Sequence, residues 1–81
     1  MWHVYIIQCR DKSLYTGVAK DVEARVEKHN AGNGAKYTRG RRPVELVYQE
    51  PVGDQSAALR RELVIKRMER AAKRKLIDTH R

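Results

Sequence analysis

The sequence predicts an α+β domain: a three-stranded antiparallel sheet with helices packed on it, in the order ββαβαα. Three observations carry this. Residues 2–9 form a β-rich run that is apolar on both faces; a polar turn separates it from a second short strand; and helix propensity stays high across residues 57–77. At 81 residues the chain reads as one domain near the lower size limit for a single core. A chain this short buries only roughly 60–65% of its unfolded surface. The core is expected over about residues 2–70, followed by a basic C-terminal helix over about 71–79.

Trp2 to Cys9 reads as the first strand, and as the central one, because both of its faces are apolar. Arg10-Asp11-Lys12-Ser13 is a turn, and Leu14 to Val18 completes a hairpin. Asp21 is the expected N-cap of a helix ending near Asn30, where Ala31-Gly32-Asn33-Gly34 stops it. Residues 32–43 hold three of the five glycines, four cations and Pro43, and read as a loop. Val44 to Gln49 is a third strand, with Val44, Leu46 and Tyr48 expected on one face and Glu45, Val47 and Gln49 on the other. Past Pro51 and Gly53, either Asp54 or Ser56 caps a helix to about Arg70. Propensity alone does not locate the break before the last helix.

The chain lacks Phe, so Val, Ile, Leu, Ala, Trp2 and some of the four tyrosines must build the core. Its net charge is +8, from 18 Lys+Arg against 10 Asp+Glu, and its pI is near 10.1. Residues 60–81 hold nine basic and three acidic side chains, and Lys36 to Arg42 adds four cations without an anion. Two such blocks suit a polyanion, nucleic acid before a membrane surface. A single cysteine, Cys9, cannot form an intramolecular disulfide and reads as a small buried hydrophobe. No stretch approaches the roughly 20 apolar residues of a membrane span, and the start lacks a signal-peptide pattern. The expectation is a cytoplasmic protein, a monomer or weak dimer, with no small-molecule cofactor.

Candidate chemistry begins with Tyr5 and Tyr15. If Tyr5 opposes Gly17, Tyr15 opposes Ile7, and the two rings are diagonal neighbours on one face, roughly 7–8 Å apart at the backbone. A register slipped by one residue would separate them. Gly17 reads as a point of close approach by a ligand or side chain. Arg25 and His29, at i and i+4, share a helix face, with Val22 and Val26 as the core row. An arginine can stabilise the added charge of a pentacovalent phosphate, and a histidine can orient a hydroxyl or carry a proton. Glu62 interrupts the row Ala58, Glu62, Ile65, flanked by Leu59 and Leu63, and needs a cation or a metal. Each feature also has a structural reading: cross-strand packing for the tyrosines, a helix-terminal histidine, an ordinary ion pair for Glu62. One cysteine and scattered His3, His29 and His80 show no zinc spacing. Gly32-Asn33-Gly34 lacks a phosphate-loop pattern and reads as a mobile lead into Lys36, Tyr37, Arg39, Arg41 and Arg42, with Tyr37 as a stacking surface.

The order Val4-Tyr5-Ile6, Tyr15-Thr16-Gly17, Arg25 and Glu62 resembles the GIY-YIG nuclease domain, and most of all its small stand-alone bacterial members, over about residues 2–77. Leu14-Tyr15-Thr16-Gly17-Val18, Glu27-Lys28-His29-Asn30 and Arg61-Glu62-Leu63 are similar to that branch. The resemblance implies a ββαβα core and phosphodiester hydrolysis with one divalent metal, Mg²⁺ or Mn²⁺. It makes Tyr5 and Tyr15 the paired tyrosines, Arg25 the catalytic arginine, His29 its neighbour one turn on, and Glu62 the metal ligand. Gly17, Lys36, Tyr37, Arg39, Arg41, Arg42 and Lys66 are the expected nucleic-acid contacts. The first motif departs from the family as Val-Tyr-Ile, Thr16 replaces the central isoleucine of the second, and Val18 stands near a point where some members carry lysine.

The expected activity is a metal-dependent endonuclease on DNA, with RNA the other polymer to consider, selective for structure over sequence and tied to DNA repair or processing. A tyrosinate from Tyr5 or Tyr15 is the expected base. Two other readings stand beside it: a nucleic-acid-binding module with little activity, and a basic tail that docks on a membrane or protein.

Overall fold

The computed structural model describes residues 1–80; Arg81, counted in the basic tail, and the side chain of His80 lie outside the described residues. The elements are β1 (Trp2–Gln8), β2 (Leu14–Ala19), α1 (Val22–Asn30), α2 (Lys36–Arg39), β3 (Glu45–Gly53), α3 (Gln55–Lys66) and α4 (Arg70–His80). The sheet is antiparallel in the order β2-β1-β3, so the strand that is apolar on both faces is the central one. Val4, Tyr5, Ile6 and Ile7 are each at most 1% exposed.

Because side chains alternate along β1, its two faces build two cores. Val4 and Ile6 pack with Val47, Tyr48, Ala58, Ile65 and Ile77 beneath α3 and α4. Tyr5, Ile7 and Cys9 pack with Ala19, Val22 and Val44 beneath α1. Asp21 and Asp54 cap α1 and α3, accepting from the Ala24 and Ala57 amides at 3.1 and 2.8 Å.

Four expectations change. The 32–43 segment is not wholly loop: Lys36–Arg39 makes one helical turn, drawn inward by the fully buried Thr38, and the order becomes ββααβαα. The third strand does not alternate as expected. Ile7 pairs with Leu46 and Ile6 with Tyr48, so Val47 is an extra residue, and this bulge moves Tyr48 to the face opposite Val44. The strand also runs on through Pro51, which an edge position tolerates. Finally, the core does not end near residue 70. The break at Arg67–Glu69 lets Ile65 on α3 and Ile77 on α4 reach the same cluster, so the last helix is part of the core. Its Arg70 and Arg74 donate to the Lys12 carbonyl and the Gln8 side chain, at 2.6 and 2.9 Å.

Candidate active site

The hairpin register is Tyr5 opposite Gly17 and Ile7 opposite Tyr15. The tyrosines therefore share a face, but they do not emerge together. Tyr5 is 1% exposed, whereas Tyr15 is half-buried and lines an open cavity of about 340 Å³ with Arg25, Lys28, His29, Asn33, Gly34 and Ala35. Gly17 explains why Tyr5 lies inward. A β-carbon there would stand 2.5 Å from the Tyr5 hydroxyl, so the close approach is made by Tyr5 and not by a ligand. That corrects the expectation that Gly17 contacts nucleic acid.

His29 is not a surface residue at a helix end. It is 2% exposed and bridges Tyr5 and α2: Nε2 lies 2.9 Å from the Tyr5 hydroxyl and Nδ1 lies 2.8 Å from Thr38 Oγ1. Thr38 Oγ1 also donates to the Ala35 carbonyl at 2.9 Å, and the Ala35 amide donates to His29 Nδ1 at 3.4 Å, so both ring nitrogens are engaged inside the fold. Gly34 completes the enclosure, since any β-carbon there would collide with the His29 ring. Asn30 clamps the ends of the loop, donating to the Val44 carbonyl at 3.1 Å and accepting from its amide at 2.7 Å.

Electrostatics follow from this placement. Burial, then the neighbouring Tyr15, push the Tyr5 phenol up to about 12, against the pull of Arg25. Burial, then the Arg25 charge, hold His29 below its ordinary value, so it is neutral at neutral pH. Arg25 itself is exposed on α1, beside the cavity and within electrostatic reach of both groups.

Glu62 arrives from the far side of the sheet, on α3, which packs across β2 as well as β1 and β3. Lys66 stands 3.5 Å from its carboxylate and 5.9 Å from the Tyr15 ring centroid, which puts Glu62 at the β2 edge beside the tyrosines. The apolar row expected around it is only partly apolar and buried. Ala58 and Ile65 are buried, but Leu59 and Leu63 are 47% and 49% exposed because they point away from the sheet. Among the described residues no group of three His, Cys, Asp or Glu side chains could hold a metal. Glu62 alone, with its side chain 19% exposed, fits Mg²⁺ or Mn²⁺, which take one or two carboxylates and complete their shell with water and phosphate oxygens.

The expected nucleic-acid contacts divide. Arg41 binds Asp11 at 3.0 Å and the Tyr37 carbonyl at 2.7 Å, and Arg42 binds the Arg39 and Asn30 carbonyls at 2.9 and 3.2 Å. Those two hold the loop in shape. Tyr37 already stacks on Tyr15, at 5.9 Å between centroids, and carries the Arg41 guanidinium at 4.1 Å, so its ring is not a bare platform. Lys36 and Arg39 are exposed. Sequence reasoning missed Thr38, Gly34 and Lys28. Lys28 had a legible signal, one turn along the helix face from Arg25.

With the geometry in place, comparison with known proteins decides the family. The model of the GIY-YIG catalytic domain matches residues 1–76. The chain belongs to the GIY-YIG family. A UPF0213 protein of Staphylococcus saprophyticus is 59% identical over 76 residues, covering 94% of this chain and 93% of that one. A UPF0213 protein of Staphylococcus aureus is 64% identical over 74 residues, covering 91% and 90%. The solution structure of a UPF0213 protein from Bacillus halodurans is similar at 42% identity and TM-score 0.62, over 98% of this chain and 85% of that one. That of an E. faecalis protein is similar at 36% identity and TM-score 0.64, over 96% and 83%. GIY-YIG membership gives a nuclease-type function in general and nucleic acid as the substrate class. No helix among the described residues is long and apolar enough to cross a membrane.

Proposed function

We propose that this GIY-YIG domain is a divalent-metal-dependent endonuclease that hydrolyses phosphodiester bonds in DNA, selects structure over sequence, and serves DNA repair or processing. The observation that carries the reading is the cavity in which Tyr15, Arg25 and Lys28 meet, backed by the buried Tyr5–His29–Thr38 chain.

A strand phosphate enters beside Arg25 and Lys28, whose charges compensate its own. Arg25, with its fork of donors, stabilises the additional negative charge that develops as the phosphorus becomes five-coordinate. Tyr15 is the tyrosine that faces the cavity and acts as general base towards the attacking water. Tyr5 is the poorer base: it is buried, its hydroxyl is tied to His29 at 2.9 Å, and its phenol is pushed up to about 12. Tyr5 and His29 hold the floor of the site and fix the orientation of Arg25 and Tyr15 against it. Glu62 would hold the metal, which would supply charge neutralisation to the reacting phosphate.

The test is cleavage of labelled linear, flapped, branched and single-stranded DNA, and of RNA, by wild type and Glu62→Ala with Mg²⁺, Mn²⁺ or EDTA. Metal-dependent cutting that falls by about a hundredfold or more in the variant, roughly 3 kcal/mol of barrier, is expected. Binding without cutting in every condition, unchanged in Glu62→Ala, would make the chain a binding module instead.

A further inference from the structure

A second cavity, of about 330 Å³, lies at the other flank of α1. Trp2, Ala19 and Ala24 give it apolar walls, and Lys20, Arg25 and Lys28 are its exposed cations. Arg25 and Lys28 also line the cavity that holds Tyr15 and His29, so the two form adjoining compartments with a shared wall of positive charge. The only acid lining it, Asp21, is already engaged by the Ala24 amide at 3.1 Å. Trp2 packs in part against the Val4–Ile6 core. Its ring also carries the Lys20 ammonium at 5.7 Å, a looser contact than that of Arg41 on Tyr37 at 4.1 Å, so a base stacking on the indole must take the place of Lys20.

We propose that this compartment takes an unpaired nucleobase of the bound strand, stacked on Trp2, while the adjoining phosphates lie on Lys20, Arg25 and Lys28. The proposal rests on the nuclease reading for the identity of the polymer. Phosphate alone would use only the cations; a base uses the indole as well, since every base presents a π-face to an aromatic ring. A base lying on Trp2 cannot remain in a duplex stack, so the compartment favours single-stranded, frayed or flapped substrate over intact duplex. It gives the structure selectivity a physical source.

Trp2 is the one tryptophan of the chain, so its emission reports this compartment without any label. The wild-type protein in EDTA is titrated with short oligothymidylate, oligouridylate, an abasic backbone of equal length and a blunt duplex, with binding followed in parallel by oligonucleotide anisotropy. Saturable quenching by both base-bearing single strands is expected, with the abasic chain at least about tenfold weaker and the duplex leaving Trp2 nearly unchanged. Trp2→Ala should weaken single-strand affinity on the order of tenfold to a hundredfold, and Trp2→Phe should restore most of it. Oligonucleotide binding without a change in Trp2 emission, equal affinity for the abasic chain, or no binding at all would each overturn the proposal. The cleavage assay keeps the two readings apart. Cutting with a silent Trp2 removes this compartment alone, whereas base-dependent quenching without cutting under any metal removes the nuclease and leaves the compartment.

Discussion

The two faces of β1 are built from alternate residues of one seven-residue strand, yet they do opposite things. Val4 and Ile6 meet Ala58, Ile65 and Ile77 in a core dominated by aliphatic side chains. Tyr5, one residue away, meets His29, and through it Thr38, in a buried polar chain in which both ring nitrogens are hydrogen-bonded. The aliphatic side stabilises by removing apolar surface from water and needs no particular geometry beyond packing. The polar side is neutral only while every donor and acceptor is matched, so it fixes one arrangement of α1, α2 and the loop between them. An 81-residue chain can support an exacting polar layer because the layer beneath it is so plainly apolar.

The contrast can be broken most visibly within the tyrosine pair. Tyr15→Phe should lower turnover by about 10²–10⁴-fold, the usual worth of a general base, with unfolding free energy almost unchanged. Tyr5→Phe should do the reverse in emphasis: it strips the buried His29 Nε2 of its partner and costs about 1–3 kcal/mol of stability. Single-turnover cleavage and urea melts on both variants separate the two roles. Equal losses of activity with equal stability would show that the buried and exposed tyrosines are equivalent.

Next in size is the aliphatic face. Ile6, completely buried, should lose about 2–5 kcal/mol of stability on replacement by Ala. Chemical denaturation reads this directly, and the cleavage rate per folded molecule should be unaffected. Smaller still is Thr38→Val, which keeps the shape but removes the hydroxyl that His29 Nδ1 and the Ala35 carbonyl share. It should cost about 1–3 kcal/mol, with Thr38→Ser recovering most of it. Imidazole ¹⁵N shifts should show a change in the protonated nitrogen in Thr38→Val only.

The smallest expected effect is in pH. His29 sits below its ordinary pKa of about 6.5, so the unfolded chain takes up a proton before the folded one does. Stability is therefore full above about pH 6.5 and falls as the pH drops through that window, by at most about 1.4 kcal/mol per unit. Ile6→Val should show the same acid slope from a lower starting point, and His29→Gln should flatten it. Urea melts at pH 7.5 and 5.5 test both. A slope unchanged in His29→Gln would assign the acid sensitivity to other groups.

Much of this protein could be read in the chain alone. The double-sided apolarity of residues 2–9 required a central strand, Asp21 and the alternatives Asp54 and Ser56 marked two helix starts, and alternation reduced the tyrosine pair to one condition, Tyr5 opposite Gly17, which the fold meets. Tyr5, Tyr15, Arg25, His29 and Glu62 could be nominated only by their order and spacing and by the resemblance to the GIY-YIG domain, because α1 and α3 carry many other polar side chains. What tertiary structure decided lies where local rules are silent. Alternation could not foresee the bulge at Val47, which exists because β3 must serve both cores. Helix propensity could not place the break at Arg67–Glu69, which exists because Ile65 and Ile77 must reach one cluster. Nor could spacing tell the buried tyrosine from the exposed one. That depends on a glycine on the neighbouring strand, on a histidine 24 residues away and on a threonine in a single helical turn, all brought together only when the sheet is covered. Burial and hydrogen-bond matching are properties of the assembled molecule, and they separate the hydroxyl that holds the site from the one that faces the substrate.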